Sequence, residues 1–304
     1  MAPRNGPAQR LDLLVVGHVN IDRFLDVARL PAPDRTVPVL GARDRLGGTA
    51  ANIALAASHW GVRTGLSSRV GEEFPETFEH ELARAGIDTR GLVRVRGERS
   101  PTCFVVEDGR GGQLTLIDQG AMGDARRAPV PQALLRRTRW VHLATGDPAY
   151  QLRLLAAARK LGRPVAVDPA QEIHYRWGAR PLRVLLEGAE ILFGNVAELR
   201  RAAELLGVSG VDRLTDLVPL VIETRGPRGA VAHSRAGPPI ERPAVRPRRV
   251  RQVTGAGDAF RGGFYAGWFA GQPLDRCLSA GLRSAGAWVE HGGHFGRAPR
   301  GRIP

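Results

Sequence analysis

Short apolar runs of strand length alternate along this chain with segments of helical pattern. Leu11–Gly17 is such a run, Ala50–Trp60 is helical in pattern and ends at a glycine, and Gly65–Val70 begins the next strand. Apolar runs of this kind are typical of strands buried on both faces, and intervening helices place such strands parallel to one another. The alternation continues through most of the 304 residues. It predicts an α/β fold with a doubly wound, mostly parallel sheet sandwiched by helices.

Two stretches interrupt this alternation and have β-like patterns instead. The stretch 22–46 is rich in proline and arginine, and the stretch 93–117 alternates in polarity and contains a turn signal at Glu107–Arg110. We expect the two stretches to form a small β lid over one end of the sheet. The ends of the chain, 1–10 and 296–304, are rich in glycine, proline and arginine, and we expect them to be loose.

The chain is strongly basic, which raises the question of a nucleic-acid partner. Lysine and arginine number 44 against 30 acidic residues, for a formal net charge of +14. However, the arginines are spread along the whole chain and aromatic residues make up only 6% of it. A nucleic-acid surface usually concentrates charge on one face, with aromatic residues where single strands bind. We therefore expect no specific nucleic-acid partner.

The same composition excludes several other classes of protein. Lys160 is the one lysine and is followed by Leu161, so no P-loop is present. Cys103 and Cys277 are too few for a disulfide framework. No apolar run reaches the roughly 18 residues that a membrane span needs, and the first residues lack the apolar core of a signal peptide. We expect a cytoplasmic protein without a membrane partner.

The motif with the most specific chemistry is Gly255-Ala256-Gly257-Asp258, at the end of a loop and the start of a helix. Small residues there let backbone N–H groups converge into an anion hole for a phosphoryl group. The Asp258 carboxylate can accept a proton from an attacking hydroxyl. A plain glycine loop capped by Asp258 is the structural alternative. A dinucleotide fingerprint is excluded, because Phe260 occupies the position of its third glycine.

A second glycine motif lies near the start of the chain. Gly47 and Gly48 precede a helix that carries Asn52. The glycine pair lets the backbone approach a ligand closely, and Asn52 offers a donor and an acceptor for hydroxyl groups. A tight turn capped by Asn52 explains the same residues equally well.

Two polar residues, Asn20 and Asp22, follow the first strand. Ligands of open α/β sheets bind at the carboxyl ends of the strands. Asp22 can there bind a pair of sugar hydroxyls. A solvated turn is the alternative.

A fourth element, Asn195-Val196-Ala197-Glu198, also follows a predicted strand. The amide and the carboxylate, three residues apart, lie on one helix face and can hold the waters of a hydrated Mg²⁺. A helix cap with a glutamate in the first turn is the more common use of such a pair.

Taken together, the four motifs resemble those of the PfkB family of carbohydrate and nucleoside kinases, which have the ribokinase-like fold. The resemblance extends over 11–293, and the two glycine motifs occur in the family's order. It implies one kinase domain with a β lid. In this family the lid is often used to form a homodimer. It also implies transfer of the ATP γ-phosphoryl group, with Mg²⁺, to a hydroxyl group.

The resemblance assigns roles to individual residues. Asp258 would be the general base. The anion hole would comprise Gly255, Ala256 and Gly257. Substrate-binding residues would be Asn20, Asp22, Gly47, Gly48 and Asn52. The nucleotide and Mg²⁺ side would comprise Asn195, Glu198, Thr224 and Gly226, with Glu198 acting on the metal through water.

Two departures from the family pattern bear on cofactors and substrates. Gln252 replaces the aspartate that helps to form a monovalent-cation site, so potassium activation is not expected. Met122 replaces the asparagine of the Gly-Ala-Asn element at the end of the lid.

The sequence gives little information about the substrate. The segments Thr145–Pro148 and Asp168–Glu172 look like those of archaeal nucleoside and ribose-1-phosphate kinases. A nucleoside or sugar kinase is therefore predicted. A sugar-phosphate kinase, an ADP-dependent enzyme and a non-catalytic sensor remain as alternatives.

Overall fold

The computed structural model describes residues 10–293 and 295. Within these residues the strands are β1 (Leu11–Val16), β2 (Asn20–Val27), β3 (Val39–Gly47), β4 (Thr64–Gly71), β5 (Asp88–Val95), β6 (Thr102–Glu107), β7 (Gln113–Asp118), β8 (Thr138–Leu143), β9 (Val165–Val167), β10 (Ile191–Asn195), β11 (Leu220–Thr224), β12 (Ala230–Ser234) and β13 (Gly237–Arg242). The α-helices are α1 (Thr49–His59), α2 (Glu76–Arg84), α3 (Gln132–Arg137), α4 (Pro148–Lys160), α5 (Ala179–Glu187), α6 (Val196–Leu206), α7 (Ala256–Phe269) and α8 (Leu274–His291).

The large sheet contains nine strands in the order β13-β12-β11-β10-β9-β8-β1-β4-β5. The seven strands from β11 to β5 run parallel, and the hairpin β12–β13 adds an antiparallel edge. All six residues of β1 are buried, as expected of a strand covered by helices on both faces. The predicted doubly wound sheet is confirmed.

Alternate residues of β1 point to opposite faces of the sheet and therefore enter different cores. Leu14 and Val16 lie in one apolar cluster, together with residues of α4, α5 and α6. Leu13 and Val15 lie in the other, together with residues of α1, α7 and α8. The second cluster holds the helices that begin with the glycine motifs.

A separate four-stranded sheet, β3-β2-β6-β7, forms the lid. Its β6–β7 hairpin turns at Asp108, whose Oδ1 accepts the Gly112 N–H at 2.9 Å, close to the turn signal in the sequence. Residues 93–95, expected in the lid, instead end β5 and pair with β4 in the large sheet. β5 is an edge strand, so its alternating polarity resembles that of a lid strand.

The chain ends 1–10 and 296–304, expected to be loose, lie outside the described residues except for Arg10. None of the helices in the described part is long and apolar enough to cross a membrane.

Helix α7 packs tightly between α1 and α8 because glycines face both neighbours. A Cβ atom on Gly262 would overlap Ala56 of α1, and one on Gly263 would overlap Ser284 of α8. This close packing fixes the start of α7, and with it Asp258, against the start of α1.

Candidate active site

The loop before α7 is rigidly held and presents backbone N–H groups. Gly255 has φ of 79°, in the left-handed region, and precedes the first helical residue. Trp288 Nε1 donates to the Thr254 carbonyl at 2.9 Å and packs against Gly255, where a Cβ would lie 3.0 Å away. Ala256 was predicted to be part of the anion hole, but its N–H donates within the loop to Val253 O at 3.1 Å. The first turn of the helix beyond it has the N–H groups and positive dipole end that attract an anion.

Asp258 lies in the first turn of α7 and is joined to α1 by a side-chain hydrogen bond. Asn52 Nδ2 donates to Asp258 Oδ2 at 3.0 Å. The two glycine motifs, far apart in sequence, therefore meet through Asn52 and Asp258.

Burial raises the pKa of the Asp258 carboxyl to about 7. The carboxylates of Asp168 and Glu198 add to this rise, whereas the Arg261 guanidinium and the Asn52 hydrogen bond oppose it. A carboxyl group with this pKa exchanges its proton near neutral pH, as a general base must.

Asp22 occupies a pocket that the glycine motif makes possible. Asn20 pairs with Gly47 in the β2–β3 ladder, and a Cβ on Gly47 would overlap the Asp22 carboxylate. Gly48, with φ of 94°, passes so close to β2 that a Cβ would lie 2.8 Å from the Asn20 nitrogen. The glycine pair therefore makes room for the Asp22 carboxylate and for the close passage of β2.

Two acceptor atoms in this pocket lack partners among the described residues. Asp22 Oδ1 and Asn20 Oδ1 are buried and accept no hydrogen bond there. Burial also raises the pKa of Asp22 to about 7. Buried acceptors without partners are costly unless a ligand supplies donors.

The residues expected on the nucleotide side lie at the ends of adjacent strands. Asn195 and Thr224 are register partners at the carboxyl ends of β10 and β11. Gly226, with φ of 56°, begins the turn that follows β11.

Asn195 and Glu198 form a reciprocal cap on α6. Asn195 Oδ1 accepts the Glu198 N–H at 3.0 Å, and Glu198 Oε2 accepts the Asn195 N–H at 2.8 Å. The capping alternative for this motif is thus what the structure contains. Glu198 Oε1 accepts from Gln171 Nε2 at 3.1 Å, and the side chain remains close enough to influence Asp258.

Gln252 replaces the aspartate expected at the cation site, and it accepts a hydrogen bond from the lid. Arg45 Nη1 on β3 donates to Gln252 Oε1 at 3.0 Å and to the Gly292 carbonyl at 3.4 Å. Met122, in place of the family's asparagine, is buried.

Sequence reasoning missed a buried ion pair beside Asp258. Arg261, one turn further along α7, pairs through Nε with the carboxylate of Asp168 at the end of β9. Both residues are buried, at 4% and 0% exposure. An arginine between Phe260 and Gly262, on a helix packed on both sides, was the available signal.

Sequence reasoning also missed a polar network that includes His18, after β1, and Gln119, after β7. Gln119 Oε1 accepts from Arg176 Nη1 at 3.1 Å and from His18 Nε2 at 2.6 Å. The Gln119 amide nitrogen donates to the Tyr175 hydroxyl at 3.2 Å. Tyr175 is 58% exposed, so this network holds an aromatic ring open to solvent.

Comparison with known proteins decides the family. A model of the pfkB family carbohydrate kinases matches residues 10–297. The chain belongs to the pfkB family of carbohydrate kinases. It is an enzyme of the PfkB type, a carbohydrate or nucleoside kinase, and the resemblance predicted from the four motifs is confirmed.

Relatives that cover nearly the full length of the chain include nucleoside kinases and a sugar-phosphate kinase. A nucleoside kinase of Methanothermobacter thermautotrophicus is 35% identical over 88% of this chain and 85% of its own length. An ATP-dependent ribose-1-phosphate kinase of Halopiger xanaduensis is 29% identical over 88% of each chain. The crystal structure of Methanocaldococcus jannaschii nucleoside kinase, an archaeal member of the ribokinase family, superposes with a TM-score of 0.87 at 29% identity over 96% of each chain.

The raised pKa of Asp258 predicts a pH-dependent effect of Asp258→Asn on stability. The pKa of about 7 in the folded protein exceeds the value of about 4 expected on unfolding. The native state therefore loses stability as pH rises from about 4 through 7, and asparagine removes this loss. We expect the melting temperature of the variant, relative to the unaltered protein, to rise by several degrees between pH 5 and pH 8.5. An offset that is the same at both pH values would contradict the assignment.

Proposed function

We propose that the protein transfers the γ-phosphoryl group of ATP to a ribose hydroxyl of a nucleoside, with Asp258 as the general base. The observation that carries this proposal is the position of Asp258. Its carboxyl, with a pKa near neutrality, lies in the first turn of the helix whose N-terminal loop can bind a phosphoryl group. Asn52 holds it in place.

Proton transfer and charge stabilisation are the contributions of the chain itself. Asp258 accepts the proton of the attacking hydroxyl, and the oxygen attacks the γ-phosphorus in line. The bond from that phosphorus to the oxygen shared with the β-phosphorus breaks, and ADP leaves. Backbone N–H groups of Gly255, Gly257 and Asp258 donate hydrogen bonds to the oxygens of the transferred group and stabilise their negative charge. The Gly255 conformation and the Trp288 hydrogen bond keep this loop in place before the substrate binds.

The acceptor sugar is assigned to the pocket of Asn20, Asp22, Gly47, Gly48 and Asn52. The unpartnered Oδ1 atoms of Asn20 and Asp22 can accept hydrogen bonds from two hydroxyl groups. Ionised Asp22 binds adjacent hydroxyls better than its protonated form does, because charge-assisted hydrogen bonds are the stronger ones. These residues would hold the sugar with a free hydroxyl near Asp258.

The nucleotide is assigned to the ends of β10 and β11, where Asn195, Thr224 and Gly226 lie together. The relative from Halopiger xanaduensis is named as ATP-dependent, which supports ATP as the donor.

The residues around Arg261 fit a hydrated Mg²⁺ ion. Asp168, Glu198 and Asp258 are three carboxylates around one guanidinium, and Asp168 Oδ1 is buried without a hydrogen-bond partner in the described part of the chain. Mg²⁺ keeps several waters and binds substrate phosphates, so it needs few direct protein ligands. When bound, the ion neutralises the charge on the phosphate oxygens, and Glu198 would hold it through water.

The surface around Tyr175 supports an acceptor that carries a base. Cys103 is the register partner of Asp22 and lies close enough to Tyr175 to affect its pKa. The exposed ring therefore lies near the sugar pocket, and Gln119 keeps one amide N–H free to donate to a base.

Two of the lid arginines provide little support for a sugar phosphate as acceptor. Arg23 pairs with Asp44, and Arg43 pairs with both Asp26 and Glu107, so these guanidinium groups already have anionic partners. Arg45 differs, because it donates to the neutral oxygens of Gln252 and Gly292. Ribose-1-phosphate therefore stays an alternative to the nucleoside.

The principal experiment compares the unaltered protein with Asp258→Asn in phosphoryl transfer from ATP or ADP to nucleosides, ribose and ribose-1-phosphate. We expect turnover with nucleosides and ATP, and a fall in kcat of about 10²–10⁴-fold in the variant, because general-base catalysis is lost. Asp216→Asn, on the surface beside Arg213, is the matched control and should retain full activity. Nucleoside binding without turnover in the unaltered protein would support the sensor instead.

Replacement of Tyr175 tests recognition of the base. We expect Tyr175→Ala to raise KM for nucleosides about tenfold, because stacking of a base on an aromatic ring is lost. Tyr175→Phe keeps the ring and should leave KM within a few-fold of the original value. KM for ribose, if ribose is accepted, should not change in either variant. An unchanged nucleoside KM in Tyr175→Ala would place the base elsewhere.

The lid is also the proposed site of homodimer formation. Its two edge strands expose apolar side chains, among them Leu40 at 67% and Leu116 at 55%. Contiguous exposed apolar patches mark association surfaces. Light scattering should give the mass of a dimer for the original chain and that of a monomer for Leu116→Glu. Val184→Glu, exposed on α5, should remain dimeric. A monomeric original chain would exclude the proposal.

A further inference from the structure

The side-chain amide of Gln119 is fixed in one orientation by two donors at one of its ends. Arg176 Nη1 lies 3.1 Å from Gln119 Oε1, and a guanidinium has only hydrogens to offer, so the atom that faces it must be the amide oxygen. His18 Nε2 lies 2.6 Å from the same oxygen and donates to it as well. The amide nitrogen therefore points to the other side, where it donates to the Tyr175 hydroxyl at 3.2 Å.

Both donors are themselves held in place. Arg176 pairs with Glu172 at 3.2 Å, and both side chains are largely buried. His18 is buried, and its Nδ1 lies 3.0 Å from the Thr145 hydroxyl. A flipped Gln119 amide would turn its NH₂ group towards two donors, so the surroundings permit a single orientation.

His18 also connects this amide to the proposed sugar pocket. A Cβ on Gly48 would lie 2.5 Å from the His18 carbonyl oxygen, and Asn20 begins β2 two residues further along the chain. The Gln119 amide is thus one side chain away from the backbone that lines the pocket. The base of a nucleoside whose sugar lies in that pocket can span this distance.

The groups that this network leaves over at its exposed end are hydrogen-bond donors. One N–H of Gln119 is used on Tyr175, and in the described part of the chain the second remains for a ligand. The Tyr175 hydroxyl accepts that bond, so its own hydrogen also remains to donate. Tyr175 is exposed, so a ligand can approach this end of the network. It therefore favours a ligand edge that carries acceptors.

Nucleobases differ in what they present to such donors. Hypoxanthine and guanine carry an exocyclic oxygen at position 6 and uracil carries one at position 4, and these oxygens accept hydrogen bonds. Adenine and cytosine carry an amino group at the same positions, which donates. An amino group that faces the Gln119 N–H sets donor against donor and leaves both without a partner.

We propose that Gln119 is a specificity-determining residue that selects nucleosides with an oxo group on the base over those with an amino group at the same position. Arg176 and His18 are positioning residues that set this preference by fixing the amide. The inference rests on the proposed function, in which the acceptor is a nucleoside, and names the class of base. Gln119 contacts the base and not the reacting atoms, so it affects KM rather than kcat.

Two pairs of nucleosides test the preference, inosine against adenosine and uridine against cytidine. We expect kcat/KM for the oxo member to be about five- to tenfold higher in each pair, because one net hydrogen bond is worth roughly this factor. The difference should lie in KM. Equal kcat/KM within both pairs would overturn the proposal.

Gln119→Glu exchanges the donor for an acceptor and keeps an oxygen towards Arg176 and His18. The Tyr175 hydroxyl then donates to the carboxylate, and the atoms left over at the exposed end accept. We expect the preference to reverse in favour of adenosine and cytidine. Gln132→Glu, exposed at the start of α3, is the matched control and should leave both ratios unchanged. A preference that survives in Gln119→Glu would overturn the proposal.

Replacement of Arg176 tests the fixing of the amide. Without the guanidinium the amide can flip, because a neutral His18 ring can either donate or accept at Nε2. We expect the ratio within each pair to fall towards one in Arg176→Met and to be largely kept in Arg176→Lys, which also has only hydrogens to offer. A lower melting temperature with unchanged ratios would refute the positioning role. If Arg176→Met does not fold, the Gln119→Glu result decides.

Binding separates this inference from the proposed function. Dissociation constants for inosine and adenosine, measured by calorimetry with the unaltered protein and with Gln119→Glu, need no turnover. Tighter binding of inosine that reverses in the variant, without phosphoryl transfer, would support the base preference and refute the kinase. Phosphoryl transfer to nucleosides without a binding preference would support the kinase and overturn the inference.

Discussion

The hydrogen bond between Asn52 and Asp258 is the contact on which the site depends. The two residues are 206 positions apart, and each belongs to the first turns of a helix that begins at a glycine motif. Glycines on α7 allow the helices to approach closely enough for this bond to form. Two helix starts meet at the carboxyl ends of parallel strands. This one arrangement therefore determines how the helices pack and where the Asp258 carboxylate lies.

Much of the fold could be predicted because short segments of the sequence indicate its strands and helices. Runs such as Leu11–Val16 reveal a strand buried on both faces, and glycines at helix starts reveal the two motifs. The partner of a strand is not local information. Residues 93–95 alternate in polarity whether they pair within the lid or at the edge of the large sheet, so the assignment of these three residues to the lid was wrong.

The same limit applies to the site. Asn195 and Glu198 have the spacing of both a capping box and a cation site, and the sequence could not distinguish them. Asp168 and Arg261 are far apart in the chain, so only the fold could reveal that they form a pair. The net charge of the whole chain also gave no indication of the charge at the site. A formal charge of +14 describes a surface rich in arginine, whereas the centre of the site holds three carboxylates around one guanidinium.

Strand β2 belongs to the lid, yet it carries Asn20 and Asp22 of the proposed sugar pocket. Any displacement of the lid relative to the large sheet therefore moves these acceptors away from Asp258, which is fixed to α1. A sugar bound to Asp22 and adjacent to Asp258 would connect the two bodies. Its binding free energy would include the free energy of holding the lid in place, because a ligand stabilises the conformation to which it binds best. The acceptor is thus a structural link as well as a reactant, and sugars with fewer hydroxyls would leave the enzyme more open.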